Sequence, residues 1–196
     1  MKKKERALVV VAHPDDETIW MGGIILNSKN INWTIFSFCR KDDPDRAPKF
    51  RKVCQYYKAK GIISDLEDED ILNVKKSLPE IKKRIKRELK TKKFDYIFTH
   101  GPKGEYKHIR HIGVHKVVKK MVQEKELSCR HLFFFAYKLN FKKRIINYSN
   151  NFVSLVFNLT SEELKIKKKI IKKIYGFSQK SFEYKSCLKK ETFTRL

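Results

Sequence analysis

Short apolar runs that alternate with longer amphipathic segments are the feature that most restricts what this chain can fold into. Five runs rich in β-branched and aromatic residues predict strands, at residues 7–12, 33–38, 94–99, 131–137 and 152–159. Several are almost continuously apolar, which is typical of strands covered on both faces. Such strands in alternation with helices predict an α/β fold with a mostly parallel sheet and helices on both faces.

Helical periodicity between these runs supports the same fold. Helices are predicted near residues 17–28, 48–60, 78–92 and 111–124, and a last one is predicted to begin at Thr160, where Thr160 and Glu163 form a capping box. The clearest period is that of Ile81, Ile85 and Leu89, which recur every four residues. The length of 196 residues suits one domain, and we expect residues 1–196 to form it, with the run 7–12 central and parallel to 94–99.

The charge of the chain is strongly positive, with 46 Lys and Arg against 22 acidic residues and a net charge of +24. This balance favours a polyanion as partner, such as nucleic acid, an anionic membrane or a phosphorylated substrate. However, most of the excess is Lys and is spread over several segments, as on an ordinary solvated surface. A nucleic-acid-binding module therefore rests on charge alone, without zinc-finger spacing or an aromatic RNP-like motif.

The cysteines and the hydropathy indicate a cytoplasmic protein. The four cysteines lie far apart and form no CxxC pair, which favours reduced thiols and excludes a cysteine zinc site. No stretch approaches the roughly 20 apolar residues that a transmembrane helix needs. The run 7–12 is also too short for the core of a secretory signal.

Two polar groups follow predicted strands, and ligands bind at the carboxyl ends of strands in such sheets. The first group is Ala12-His13-Pro14-Asp15-Asp16-Glu17. A polar turn in which one aspartate caps the next helix would leave His13 and the second aspartate without a role. Zinc binds imidazole nitrogen and carboxylate oxygen readily, so this group is a candidate metal site.

The second group follows the run 94–99 and begins at His100. It continues through Gly104-Glu105-Tyr106-Lys107-His108-Ile109-Arg110-His111, with His115 beyond. Histidines at spacings of three and four share one helix face. For His115 alone a solvated position is the simpler interpretation, but His108 and His111 together match what a catalytic zinc site needs.

These two motifs resemble those of the LmbE-like, or PIG-L, family of zinc-dependent N-acetylglucosaminyl deacetylases. The first motif, with Gly22-Gly23 behind it, resembles the family signature, and the segment from Gly104 to His111 resembles its second motif. A weaker similarity is Tyr175-Gly176-Phe177-Ser178-Gln179 at the end of a helix. The resemblance implies a Rossmann-like fold and hydrolysis of an N-acetyl group from an N-acetylglucosamine-type conjugate.

The resemblance also implies roles for individual residues. The ligands of one Zn²⁺ per chain would be His13, Asp16 and His111. Asp15 would be the general base, His108 would stabilise the oxyanion or protonate the leaving amine, and Tyr106 would help to polarise the carbonyl. Arg51 falls where the family often has an arginine that contacts the sugar, although Cys54 stands where an acidic residue usually follows.

The chemistry of amide hydrolysis agrees with these roles. A carboxylate outside the metal shell can take a proton from water, and a cationic imidazole at His108 would meet the developing oxyanion. The expected partner is a small amino-sugar conjugate, which the charge of the chain would allow to be anionic. A metal phosphoesterase remains an alternative, although such enzymes often need more bridging carboxylates for a second metal. The sequence does not indicate an oligomeric state.

Overall fold

The computed structural model describes residues 4–69 and 71–196 of the chain. A seven-stranded sheet forms its centre, in the order β3-β2-β1-β4-β5-β9-β8. The strands are β1 Glu5–Val11, β2 Ile31–Ser37, β3 Lys60–Ile63, β4 Lys93–Thr99, β5 Ser128–Phe135, β8 Leu155–Asn158 and β9 Lys190–Arg195. A separate hairpin is made of β6 Tyr137–Leu139 and β7 Ile145–Asn147.

The first five strands of the sheet are parallel, and β9 and β8 extend it in antiparallel order. The strand β1 pairs with both β2 and β4, so the expected central strand and its parallel partner are confirmed. The expected mostly parallel α/β fold is likewise confirmed. The apolar run of β1 is buried along most of its length, so this strand lies in the middle of the core.

Helices cover both faces of the sheet. They are α1 Asp16–Asn27, α2 Arg46–Tyr56, α3 Val74–Glu88, α4 Gly104–Lys107, α5 Ile109–Gln123, α6 Ser161–Lys169 and α7 Phe182–Ser186. One core cluster contains Val9, Trp20 and Phe50, and the other, on the opposite face, contains Leu8, Ile81 and Val114. The helix α6 begins with the predicted capping box of Thr160 and Glu163 and continues into a π-helical turn, Ile170–Ile174. Within the described residues, no helix is both long and apolar enough to cross a membrane.

The helix α1 is interrupted at Met21, where the backbone leaves the helical region at φ −150°. The carboxylate of Glu191 on β9 accepts hydrogen bonds from the backbone N–H groups of Gly23 and Ile24, at 2.8 and 2.9 Å. Lys167 neutralises this carboxylate at 2.6 Å, and both side chains are fully buried. A Cβ at Gly23 would lie only 2.7 Å from Leu159, so the glycine allows this close approach.

Candidate active site

A tight turn directly after β1 positions the first polar motif. The backbone N–H of Asp16 donates to the carbonyl of His13 at 3.3 Å, and Asp15 stands at the start of α1 with a φ of 117°. Residues other than glycine rarely adopt this conformation, and such strain is typical of functional sites. Asp15 makes no side-chain capping hydrogen bond to the helix, so the capping alternative does not explain it.

Both oxygens of the Asp16 carboxylate are held in place. Its Oδ1 accepts a hydrogen bond from the indole Nε1 of Trp20 at 2.8 Å, and its Oδ2 accepts from the backbone N–H of His13, also at 2.8 Å. Asp16 and Trp20 are buried, so the carboxylate has little freedom to turn. The Oδ2 atom is thereby directed toward the second polar motif.

The second motif is organised around a buried carboxylate, Glu105. Its Oε2 accepts hydrogen bonds from Nδ1 of His111 at 2.6 Å and from Nδ1 of His100 at 2.8 Å, and its Oε1 accepts from the backbone N–H of Gly101 at 2.7 Å. Burial would raise the pKa of Glu105, but the charges and hydrogen bonds of His100 and His111 lower it to about 2. This carboxylate therefore stays ionised and fixes both imidazole rings.

Three ligand atoms from the two motifs meet in one small triangle. Nδ1 of His13 lies 3.1 Å from Nε2 of His111 and 3.3 Å from Oδ2 of Asp16. The third side, from Nε2 of His111 to Oδ2 of Asp16, measures 3.4 Å. Tetrahedral coordination at about 2.0–2.1 Å places neighbouring ligands roughly 3.4 Å apart, so the triangle has the size of one face of a zinc site.

The hydrogen-bond partners on the far side of each ring determine which atoms face the triangle. A carboxylate only accepts, so Nδ1 of His111 carries the proton that Glu105 binds and its Nε2 presents a lone pair. Nε2 of His13 donates to Oδ1 of Asp68 at 2.9 Å, so Nδ1 faces the triangle and offers its lone pair when the ring is neutral. Together with Asp16, three lone pairs converge. Carboxylates behind metal-binding histidines are the usual supporting arrangement.

Converging lone pairs repel unless a cation lies among them, and the surroundings of His13 favour its cationic form. Burial lowers the pKa of His13, but hydrogen bonds to Asp16 and Asp68 outweigh it and raise the pKa to about 10. A proton on His13 thus substitutes for a metal ion. The donor set and its spacing fit a first-row divalent metal ion.

Two other combinations of nearby donors are less suited to a metal. His100 lies 3.5 Å from Asp16, but its Nε2 accepts a hydrogen bond from the backbone N–H of Ala12 at 2.9 Å and is not available. Cys39, His13 and Asp68 also lie close together. There the guanidinium of Arg40 already binds Oδ2 of Asp68 at 2.8 Å, which disfavours a second cation.

Asp15 lines the same pocket as His13 and Asp16. Its Oδ2 accepts from Nη1 of Arg46 at 3.2 Å, and the same guanidinium lies 4.4 Å above the ring of Phe177. Burial, and then the negative charge of Asp16, raises the pKa of Asp15 well above its usual range. Two neighbouring aspartates thus occupy different environments.

The buried carboxylate of Glu17 also holds this turn in place. Its Oε2 accepts from the backbone N–H of Asp15 at 3.1 Å, and its Oε1 accepts from the hydroxyl of Tyr175 at 2.8 Å. Tyr175 and Phe177 belong to the weaker third similarity seen in the sequence. Both residues therefore contact the first motif or the arginine that holds it.

His108 lies beside the triangle, with its ring centroid 4.6 Å from that of His13. Burial, and then the charges of His111 and His13, lowers the pKa of His108 to about 3, so the ring is neutral at neutral pH. This shift disfavours the cationic imidazole that we expected at His108. Nδ1 of His108 accepts from the backbone N–H of Arg110, which leaves the proton on Nε2 as a donor.

The other three residues singled out in the sequence, Tyr106, Arg51 and His115, lie in different surroundings. Tyr106 lines the pocket, and its ring centroid lies 5.0 Å from that of His111. Burial, and then the negative charge of Asp16, raises the pKa of Tyr106, so its hydroxyl stays protonated. Arg51 is exposed on α2 and is not among the residues that line the pocket, whereas Arg46, at the start of the same helix, is. His115 is buried rather than solvated, with Nδ1 2.9 Å from the carbonyl of His100.

Sequence reasoning did not assign roles to four residues of this site, namely Arg40, Arg46, Asp68 and Glu105. Glu105 was visible inside the second motif, three residues before His108. Asp68 lies in an acidic loop after β3, and nothing in its local spacing distinguishes it from Asp65 or Glu67. Its role depends on the parallel sheet, which brings the loops after β1 and β3 to the same edge.

The chain belongs to the PIG-L family. The model of this family, described as GlcNAc-PI de-N-acetylase, matches residues 8–122, a range that contains both motifs and the loop of Asp68. A comparison with curated protein sequences finds no match. The match to the family model confirms the resemblance that the two motifs indicated.

Solved structures share the fold across nearly the whole chain. N,N'-diacetylchitobiose deacetylase from Pyrococcus horikoshii is 14% identical with a TM-score of 0.69, and the alignment covers 98% of this chain and 84% of that one. The pseudoaglycone deacetylase of the antimicrobial A40926 is 12% identical with a TM-score of 0.63, over 99% and 98%. The 4-carboxy-2-hydroxymuconate hydratase from Pseudomonas putida KT2440 is 11% identical with a TM-score of 0.69, over 98% and 96%.

Proposed function

We propose that this protein is a zinc-dependent amidohydrolase that removes the N-acetyl group of an N-acetylglucosamine-type conjugate. The observation that carries the proposal is the triangle of His13, Asp16 and His111, with carboxylates behind both rings. The PIG-L family match and the fold shared with two deacetylases support the substrate class. The family match also favours this function over a nucleic-acid-binding module or a phosphoesterase.

His13, Asp16 and His111 would hold one Zn²⁺ per chain. The ion, when bound, supplies Lewis acidity to the amide carbonyl and to a water molecule. Glu105 and Asp68 keep the two imidazoles in the tautomers that bind metal. The open side of the triangle faces a pocket lined by Asp15, Tyr106 and His108, among others.

The chain's own residues then move and hold the protons. Asp15 accepts a proton from the attacking water, and the same proton passes to the amide nitrogen as the C–N bond breaks, which releases acetate and the free amine. Neutral His108 donates from Nε2 to the oxygen that becomes negative, and the protonated hydroxyl of Tyr106 offers a second donor. Arg46 keeps Asp15 oriented toward the pocket.

The position of Arg51 argues against a contact with the sugar, and we assign that role to Arg46 instead. Arg46 is half-buried in the pocket wall, supported on one side by Phe177 and on the other by Asp15. The planar guanidinium can donate to a substrate oxygen while it keeps Asp15. Arg51, on the exposed side of α2, has no such access.

Incubation of the zinc-loaded protein with a panel of N-acetylglucosamine conjugates tests the proposal, with acetate and free amine as paired readouts. We expect equal amounts of both from at least one conjugate, and no release after chelation until zinc is restored. His111→Ala removes a ligand, so it should lose most of the bound metal and the activity. His115→Ala, one turn further along α5, should retain both.

Two results would contradict the proposal. The first is the absence of amine from every conjugate while the protein contains one zinc per chain. The second is full zinc content in His111→Ala, which would mean that other residues bind the metal. Tight retention on mixed nucleic acid with a steep salt dependence and no bound zinc would instead favour the basic-module alternative.

A further inference from the structure

The pocket over the candidate metal site is acidic, although the chain as a whole is strongly basic. Five carboxylates and two guanidinium groups line it, namely Asp15, Asp16, Asp43, Asp68, Glu183, Arg40 and Arg46. Each arginine is already paired within the pocket, Arg40 with Asp68 and Arg46 with Asp15. Apart from the proposed metal ligand Asp16, the carboxylates of Asp43 and Glu183 form no ion pair with a described residue, so this part of the pocket suits a neutral, hydroxyl-rich ligand rather than an anion.

One wall of this pocket comes from α7, which lies outside the range that the family model matches. Phe182 is 37% exposed, and its ring meets that of Tyr106 at a centroid distance of 5.0 Å and an angle of 69°. Phe182 also lines the pocket. Glu183, the next residue, also lines the pocket.

The helix that carries these two residues is firmly attached. The Oγ of Ser181 caps it by accepting from the backbone N–H of Tyr184 at 3.2 Å, and Ser186 and Cys187 are buried at its other end. The ammonium of Lys168 lies 5.1 Å from the ring of Tyr184. Phe182 and Glu183 are therefore held at the pocket rather than at the end of a loose segment.

We propose that Phe182 and Glu183 recognise the sugar ring of the substrate and that the ring bound there is uncharged. An aromatic face packs well against the apolar C–H face of a pyranose, and a carboxylate accepts strong hydrogen bonds from hydroxyl groups. The two side chains side by side supply both interactions. This inference rests on the proposed function, because that function supplies the amino sugar whose ring is bound.

The test compares two N-acetylated substrates, a neutral N-acetylglucosamine glycoside and the acyclic N-acetylserinol, in the zinc-loaded protein. The quantity measured is the ratio of kcat/KM for the sugar to that for the acyclic amide. Phe182→Ala should lower this ratio about tenfold, mainly through KM, since it removes an apolar surface that the ring covers. Phe182→Tyr should restore the ratio, and Glu183→Gln should lower it several-fold.

The matched control is Phe152→Ala, which removes another exposed aromatic ring, 70% exposed and not among those lining the pocket. It should leave the ratio unchanged. An equal loss for both substrates in Phe182→Ala would overturn the inference, because it would indicate a structural role. A preference of the wild type for N-acetylglucosamine 6-phosphate over the neutral glycoside would contradict the inference that the bound ring is uncharged.

Binding of methyl N-acetylglucosaminide to the metal-free protein, observed by saturation-transfer NMR, separates this inference from the proposed function. We expect saturation transfer to the ring protons in the wild type and its loss in Phe182→Ala. This result supports recognition of the sugar ring by Phe182, even if no amide is hydrolysed and the proposed function fails. If the sugar amide is hydrolysed but the kcat/KM ratio is unchanged in Phe182→Ala, the proposed role of Phe182 is wrong while the proposed function stands. No binding and no hydrolysis in the wild type overturns both.

Discussion

Nδ1 of His13 and Nε2 of His111 face each other at 3.1 Å, although 98 residues separate them in the chain. Each ring donates its other N–H to a carboxylate, Asp68 or Glu105. Two lone pairs so close to each other and to Asp16 require a positive charge between them. The metal-free protein meets this requirement with a proton, and the metal-bound protein would meet it with the ion.

Metal binding should therefore release about one proton per ion near neutral pH. The pKa of His13 is raised to about 10, so the ring is protonated at pH 7 to 9 and must lose that proton to become a ligand. Apparent zinc affinity should rise roughly tenfold per pH unit over this range. Calorimetry in two buffers of different ionisation enthalpy measures the proton count. A count near zero would show that His13 is already neutral.

Glu105→Gln should weaken zinc binding by about 10- to 100-fold, the typical effect of a lost supporting partner. The amide keeps the size of the side chain but removes the charge that both His100 and His111 bind. Competition with a chromogenic chelator measures the change. As a control, Glu126→Gln removes a carboxylate that pairs with Lys82 and Lys86 away from the pocket and should leave zinc affinity as it is. Equal affinities for wild type and Glu105→Gln would contradict the assigned role.

Lys167→Met should lower the free energy of unfolding by about 3–5 kcal/mol, because it leaves the Glu191 carboxylate buried without a counter-ion. Lys165→Met provides the matched control on the same helix. Its ammonium pairs with Glu162 at the surface, and such pairs contribute about 0–1 kcal/mol. Urea denaturation measures both variants. Similar losses for the two variants would show that the buried pair does not stabilise the kinked α1.

Much of the fold follows from local sequence signals. The apolar runs that become β1, β2, β4 and β5 are long enough to identify, and their parallel order follows from the helices between them. The strands β3 and β9 escaped prediction for physical reasons. Residues 60–63 are only four, two of them Lys and Gly, and residues 190–195 contain a single large apolar side chain, Phe193.

The candidate site divides in the same way. His13, Asp16 and His111 stand in short motifs whose spacing already points to metal binding, and the structure brings them together. Asp68 and Arg46 act through contacts with residues 55 and 31 positions away, so no local pattern identifies them. The neutral state of His108 is also a tertiary effect, since it depends on burial beside His13 and His111.

We propose different roles for Asp15 and Asp16. Asp16 lies in the triangle with the two histidines, whereas the carboxylate of Asp15 binds Arg46. Replacement by asparagine keeps the size of each side chain and removes its charge. We therefore expect Asp15→Asn to keep its zinc, and Asp16→Asn to lose it.

Zinc content and acetate release, measured side by side for the two variants, distinguish these two roles. Asp15→Asn should retain nearly one zinc per chain and lose about 100- to 10,000-fold in rate, as expected when a general base is removed. Asp16→Asn should bind zinc weakly and regain part of its activity when excess metal is added. If Asp15→Asn loses zinc while Asp16→Asn keeps it, the two aspartates have the opposite roles, with Asp15 on the metal and Asp16 as the base.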